Sequence, residues 1–217
     1  MPPSLVSVNV ALPQEVAWAE RGRTAMGKRP VAGPVAVRAL GLEGDQVGNP
    51  KHHGGEDQAV YAFAREDLDD WAARLGRPVA DGQFAENLTT RGIDVNAAEI
   101  GERWRVGTAL LEVCSVRTPC LNFQRWMGVS GYDNTQWVKR FAADARPGPY
   151  LRVLEEGSLQ AGDEIRVVHR PGHGVTVSEM FRALYFDRAL LPRLLLAESV
   201  SLKARAVAEA YVAQNVV

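Results

Sequence analysis

The sequence predicts a mainly β fold with inserted helices (α+β), in which a barrel-like β domain is followed by a small three-helix appendage. Two observations predict it. From about residue 4 to residue 170, short apolar segments alternate with turns rich in glycine, proline and aspartate, which is typical of closely spaced strands. Beyond residue 170 the apolar residues recur at helical spacing instead. We therefore place a β domain at residues 1–170 and a helical extension at residues 171–217.

The first predicted strand covers residues 5–10, where apolar and polar residues alternate. A second β-branched run extends from Val31 to Leu40 and is interrupted by Gly33 and Pro34. Residues 103–106 and 110–113 flank a Gly-Thr pair and predict a hairpin, and a similar unit recurs at residues 161–168.

Two helices are predicted inside this β region. Residues 66–75 carry apolar residues on one face and end before Gly76, a typical C-terminal stop. Residues 135–145 carry Trp137 and Phe141 on one stripe, which we interpret as core packing rather than as cofactor contacts.

The extension begins with Thr176 and Glu179, spaced as a capping box. A leucine-rich turn starts at Pro192, and residues 201–213 predict a last helix. Because about 45 residues seldom fold alone, these helices must pack on the β domain or on a second subunit. Their apolar faces would also allow a homodimer.

The composition excludes several classes of partner. The chain of 217 residues has a formal net charge of -1, and its charges are interspersed, so we expect no nucleic-acid or anionic-membrane binding. The N-terminus lacks the pattern of a signal peptide, and no apolar run approaches the ~18 residues that span a bilayer, so we expect a cytoplasmic protein. The two cysteines match no disulfide framework or two-pair zinc motif and are expected to be reduced thiols.

Cys120 is the residue best placed for chemistry. It follows Pro119 at the end of an apolar strand, and proline disfavours a central strand, so we expect Cys120 in an accessible loop. Arg117 could favour the thiolate, which is the form that binds metals and carries sulfur. A small buried side chain is the alternative for any single cysteine. Cys114, inside the predicted strand, is interpreted as a core residue.

Three other segments combine residue types that bind ligands. Gly41 to Asp45 places glycines around acids in a turn. Lys51 to Asp57 joins a cation and two histidines to a Gly-Gly pair, which allows close approach to a ligand, although it is also typical of an exposed loop corner. Asn87 offers a donor and an acceptor to a heterocycle edge, or caps a turn. Basic residues beyond Cys120 suit phosphate or surface ion pairs: Arg125, Lys139, Arg146 and Arg152.

The order of these motifs resembles a MOSC domain, the module named after the C-terminal part of molybdenum-cofactor sulfurase. The four matching segments are residues 41–45, 53–60, 86–89 and 117–120. The helical tail is similar to the three-helix extension of the stand-alone bacterial YiiM-like group, so the resemblance covers nearly the whole chain.

The resemblance implies a MOSC-type β-barrel-like domain with a cleft that binds the molybdenum cofactor, a molybdenum-pterin. Cys120 would be the molybdenum ligand or a sulfur carrier, and Arg117, His53 and Asn87 would contact the cofactor or an anion. A soft thiolate and local basic groups agree with this chemistry. Ala85 departs from the family pattern, which usually has glycine before Glu-Asn. Of the two adjacent histidines, His52 and His53, the motif alignment selects His53 as the one that would act.

The leading functional hypothesis is a molybdenum-dependent oxidoreductase that reduces small N-hydroxylated compounds, such as hydroxylamino bases, to amines. The sequence has no iron–sulfur cysteine set and no Gly-x-Gly-x-x-Gly fingerprint, so electrons would come from a separate reductase protein. The alternative is a sulfurtransferase-type carrier in which Cys120 bears a persulfide. The chain lacks the aminotransferase-like region of full sulfurases and would not be a complete desulfurase. A pathway enzyme with the same pocket and another substrate is a third reading.

Overall fold

A computed structural model describes residues 2–48 and 53–215. It has the predicted α+β architecture. The strands are β1 Ser4–Val10, β2 Gln14–Glu15, β3 Arg23–Thr24, β4 Arg29–Pro30, β5 Val35–Arg38, β6 Gly41–Leu42, β7 Val60–Ala64, β8 Leu88–Arg91, β9 Arg103–Val106, β10 Ala109–Val116, β11 Pro149–Glu155, β12 Gly157–Leu159 and β13 Ile165–His169. The α-helices are α1 Arg65–Leu75, α2 Leu121–Val129, α3 Trp137–Asp144, α4 Val177–Tyr185 and α5 Leu202–Asn215, and 3-10 turns cover Glu56–Gln58 and Arg188–Leu196.

Eight strands form the main sheet in the order β13-β9-β10-β11-β7-β8-β1-β4. The pair β7 and β8 is parallel, with helix α1 in the connection between them, and the other pairs are antiparallel. The end strand β13 approaches β1, the second strand from the other end, because Ile165 N donates to Pro3 O at 2.8 Å and Leu5 N donates to Asp163 O at 2.9 Å. The sheet therefore curls back on itself, which agrees with the predicted barrel-like domain.

Two clusters of buried apolar side chains stabilise the fold. One fills the interior of the curled sheet and continues into the tail helices. The other is rich in aromatic residues and lies between β7 and helices α1, α2 and α3. Trp137 and Phe141 belong to the second cluster and are at most 1 % exposed, so the prediction that they serve packing is confirmed.

Most predicted elements are present with shifted ends. The hairpin at β9 and β10 is confirmed, and α1 ends at Gly76, whose φ of 66° is the left-handed conformation that glycine favours. The second predicted strand is limited to Val35–Arg38. Helix α2 was not predicted, although Phe123 and Met127 are spaced by four residues and both are buried on its inner face.

The tail packs on the β domain of the same chain. The Thr176 hydroxyl accepts from Glu179 N at 3.1 Å, so the predicted cap of α4 is present. Ala204 and Ala208 of α5 are buried in the interior cluster, and Ser201 N donates to Cys114 O of β10 at 2.8 Å. The division into two domains stays a prediction. Within residues 2–48 and 53–215, no helix is long and apolar enough to cross a membrane.

Candidate functional site

A cleft of about 670 Å³ opens beside the end of β10 and the start of α2. Its walls come from segments far apart in sequence, including residues 23–28, residues 40–48 and the motif after His53. The cleft brings together the side chains predicted from the sequence: Cys120, Arg117, His53 and Asn87. That they bind a cofactor stays a prediction, which requires first that the four side chains line one space, as they do.

The two cysteines have opposite environments. Cys120 lies just before the first residue of α2 and is partly exposed in the cleft, outside a regular strand as expected. Cys114 lies inside β10 with no exposed surface, and burial raises the pKa of its thiol to about 12. The prediction that Cys114 is a core residue is therefore confirmed, and Cys120 is the thiol that a ligand in the cleft would meet.

Arg117 is a buried cation in the wall of the cleft, with only 6 % of its surface exposed. Its guanidinium carbon lies 4.4 Å from the ring centre of Phe123 and 5.1 Å from that of Tyr61, so it makes cation–π contacts with both rings. Nη1 donates to Phe84 O at 2.9 Å, whereas Nε is buried without a hydrogen-bond partner. A buried donor without a partner is costly unless a ligand or water satisfies it.

Asn87 lines the cleft, but both hydrogens of its side-chain amide are donated to oxygen atoms of the protein. Nδ2 donates to Asn9 O at 3.2 Å and to Asp45 Oδ2 at 2.9 Å, and Oδ1 accepts from Tyr61 N at 3.1 Å. An amide oxygen has two acceptor sites, so one acceptor remains for a ligand. The amide therefore positions Asp45 and β7, and any direct contact with a ligand would be as an acceptor.

Lys28 is a cleft residue that the sequence did not single out. Its ammonium is buried against the Asp45 carboxylate in a salt bridge. Burial lowers the pKa of Lys28, and Asp45 opposes that shift. No local motif marks this lysine, because β4 and the turn after β6 bring it to Asp45 only in the folded chain.

The segment before Asn87 is a tight turn with an unusual backbone. Ala85 has a φ of 62°, in the left-handed region that favours glycine, at the position where the family usually has glycine. The adjacent Glu86 is fully buried and accepts from Gly82 N at 2.6 Å and from Phe84 N at 3.0 Å. Burial raises the pKa of Glu86 to about 7, although hydrogen bonds from the Glu86 and Gly82 backbone and from the Thr89 side chain oppose the shift.

The histidine motif contributes to the rim. His53 is exposed and lines the cleft together with Gly54 and Gly55. Lys51 and His52, which the sequence grouped with it, lie outside the described residues. Lys203, from the start of α5, also lines the cleft, so the tail contributes a cation that the sequence analysis did not include.

Two of the downstream basic residues form ion pairs instead of lining the cleft. Arg146 Nε donates to Asp67 Oδ1 at 2.7 Å, and Arg152 is salt-bridged to Asp57 and Glu112. Of the two roles predicted for these residues, phosphate binding and ion pairing, Arg146 and Arg152 therefore show ion pairing.

The donor set limits what kind of metal centre could fit. Among residues 2–48 and 53–215, no group of three or more His, Cys, Asp or Glu side chains is arranged to hold a metal ion. A metal at Cys120 would therefore need most of its ligands from a bound cofactor. A lone, partly exposed thiol beside a buried guanidinium with an unused donor suits such a metal-cofactor unit with a phosphate.

Comparison with known sequences decides the family, because the MOSC domain matches residues 49–166, more than half of the chain. The chain belongs to the MOSC domain family. Two bacterial relatives match most of its length. YflK of Bacillus subtilis is 30 % identical over 185 residues, covering 85 % of this chain and 81 % of YflK. YiiM of Escherichia coli is 30 % identical over 191 residues, covering 85 % of this chain and 83 % of YiiM.

One fungal relative and one solved structure complete the comparison. A protein of Gibberella moniliformis named "Reductase" is 31 % identical over 153 residues, which is 68 % of this chain but only 26 % of that protein. The crystal structure of YiiM from Geobacillus stearothermophilus superimposes with a TM-score of 0.80 at 27 % identity, over 97 % of this MOSC protein and all of the other.

Proposed function

We propose that this MOSC protein is a molybdenum-cofactor enzyme that reduces small N-hydroxylated compounds, such as hydroxylamino bases, to amines. The observation that carries the proposal is the accessible thiol of Cys120 in a cleft whose wall includes Arg117, a buried cation whose Nε has no hydrogen-bond partner. The fungal relative named as a reductase supports the oxidoreductase class.

The residues of the cleft fit the proposed cofactor. Cys120 would be the protein ligand of molybdenum, because a soft thiolate suits such a metal. Arg117 would offer Nε to an anionic group, and His53 and the free acceptor of Asn87 would contact the pterin or its phosphate. Lys203 and Lys28 add cationic charge to the walls.

The reaction consumes two electrons and two protons and releases water as the N–O bond breaks. When bound, the cofactor would supply the two-electron redox chemistry. The chain's own part is to hold the ligands and to supply a proton. Lys28 is suited to this, since burial in the cleft wall lowers its pKa while Asp45 keeps the ammonium in place. The electrons would come from a separate reductase protein.

The test is the molybdenum content per chain of protein purified from cells that make the cofactor. We expect near-stoichiometric metal in the parent protein and its loss in Cys120→Ala. Cys114→Ala is the matched control, because it removes the other thiol from a position with no exposed surface and should keep the metal. Metal in Cys120→Ala at the parent level would contradict the proposed ligand.

The same thiol also favours a second candidate, a sulfur carrier. Cys120 has no nearby partner for a disulfide, since Cys114 is buried inside β10, so a persulfide on Cys120 would not be lost to a second thiol of the chain. Intact-mass analysis after incubation with a cysteine desulfurase separates the two candidates. A reductant-labile addition of one sulfur on Cys120, in a protein without molybdenum, would favour the carrier.

A further inference from the structure

A second cavity of about 470 Å³ adjoins the cleft and has a different character. Thr24 and Ala25 line both spaces, so the two are neighbours across one short segment of chain. The side cavity is lined by the indole rings of Trp18 and Trp126, and Gln14 and Arg29 supply polar groups at its wall. Neither tryptophan is explained by the proposed contacts of the cofactor.

The two indoles form an aromatic wall. Their ring centres are 6.0 Å apart with an interplanar angle of 31°, and both rings remain partly exposed. The Nε1 of Trp126 donates to Gln83 O at 2.8 Å, which fixes the orientation of that ring. Fixed, partly exposed indoles beside hydrogen-bonding side chains are typical of sites that stack a planar heterocycle and contact its edge.

Helix α2 connects this wall to the accessible thiol of Cys120. Cys120 immediately precedes the helix, and Trp126 lies six residues further along, a rise of about 9 Å. Asn122, between them, accepts from Glu20 N at 3.0 Å and so holds the β2–β3 hairpin that carries Trp18. One short helix thus sets the separation between the thiol and the aromatic wall.

We propose that this side cavity is a subsite for the planar nitrogen heterocycle of the substrate, with the ring against Trp18 and Trp126 and its N-hydroxylated substituent directed into the cleft. The inference rests on the proposed function for the substituent. The ring-binding step, however, is independent of it and is testable in protein without cofactor. The cofactor's own pterin is the other planar heterocycle that could occupy the cavity, so the test must distinguish the two.

The test is quenching of tryptophan fluorescence by adenine in cofactor-free protein. Trp71, Trp104 and Trp137 are at most 2 % exposed, so a ligand in solution reaches only the two indoles of the side cavity. We expect saturable quenching by adenine and none by cyclohexylamine, which has no aromatic face. Trp18→Leu should weaken adenine binding about 5- to 150-fold, the loss expected for one base–aromatic contact.

Two further variants test whether the loss of adenine binding is specific to the indoles of the side cavity. Phe186→Leu is the matched control, because it removes an exposed aromatic ring outside the cavity and should leave adenine binding unchanged. Trp126→Phe keeps an aromatic ring and should bind adenine more weakly than the parent. Absence of saturable quenching in the parent, or parent-like adenine affinity in a folded Trp18→Leu protein, would overturn the inference.

The final comparison uses protein loaded with the cofactor. Quenching by adenine that persists after loading supports a substrate subsite, whereas quenching that loading abolishes would assign the cavity to the pterin and overturn the proposal. Adenine binding by protein that never acquires molybdenum would refute the proposed function and leave the ring subsite supported. Molybdenum binding without adenine binding would support the proposed function and overturn the ring subsite.

Discussion

Asp57 joins the histidine motif of the cleft to the last helix, because its Oδ2 accepts a hydrogen bond from Leu202 N at 3.0 Å. Leu202 is the first residue of α5, so the carboxylate satisfies one of the free N–H groups there and opposes the positive end of the helix dipole. The same carboxylate is salt-bridged to Arg152. Since Lys203 follows Leu202 and lines the cleft, Asp57 also fixes how the tail contributes to the site.

Replacing Asp57 should therefore loosen the tail. We expect Asp57→Ala to lower the free energy of unfolding by about 2 kcal/mol, because the helix loses its cap and Arg152 loses a partner. Hydrogen exchange should become faster in the first turn of α5. Glu56→Ala is the control, since that neighbouring carboxylate is exposed and should change stability by less than about 0.5 kcal/mol. Equal stability of the two variants would show that the tail does not depend on Asp57.

The elements that could be predicted from the sequence are those with a local cause. Gly76 ends α1 because glycine adopts the left-handed conformation, and Thr176 caps α4 through a residue three positions away. Helix α2 carries a local signal in the spacing of Phe123 and Met127, but the Pro119-Cys120 pair directly before it indicates a loop. Local rules thus account for these two boundaries, whereas the ends of most other predicted elements are shifted.

The site itself depends on contacts that no local rule contains. Lys28 meets Asp45 only after the strands pair, and the two donors of Asn87 are used by atoms 42 and 78 residues away in sequence. The motif order could predict that Cys120 and Arg117 share a cleft. It could not predict that Trp18 and Trp126 would form a wall beside it, because that wall joins a β-hairpin to a helix about a hundred residues later.

The two thiols should differ sharply in reactivity. Burial inside β10 and a pKa of about 12 suppress the thiolate of Cys114, whereas Cys120 is accessible from the cleft. Titration of the native protein with a chromogenic disulfide should therefore release about one equivalent, and two after unfolding. Native Cys120→Ser should release none. Two equivalents from the native protein would contradict the described burial of Cys114.

The left-handed alanine offers a stabilising substitution. Ala85→Gly should raise the free energy of unfolding by about 0.5 kcal/mol, because relief of an unfavourable φ of 62° exceeds the entropy that glycine adds to the unfolded chain. Ala80→Gly is the control, since Ala80 does not have a positive φ, and it should destabilise by up to about 1 kcal/mol. Urea unfolding measures both. Destabilisation by Ala85→Gly equal to that of the control would show that this turn stores no strain.

Glu86 should make stability depend on pH in a defined window. Burial raises its folded-state pKa from the usual 4.5 to about 7, so between these values the folded protein holds a proton that the unfolded chain has lost. The unfolding free energy therefore falls as the pH rises from about 4.5 to 7, by up to roughly 3 kcal/mol. Above that window Glu86 causes no further decrease.

Urea unfolding of the parent and of Glu86→Gln across this range isolates the contribution. Burial also raises the pKa of Asp67 and gives a slope of the same sign, so the difference between the two proteins is the relevant quantity. The glutamine cannot accept from both Gly82 N and Phe84 N as the carboxylate does, and this loss lowers its stability by a constant amount. Because this loss does not vary with pH, the pH dependence of the stability difference still reports the ionisation of Glu86. We expect the stability of the variant relative to the parent to increase steadily from pH 4.5 to 7. A difference independent of pH would mean that the fold does not raise the pKa of Glu86.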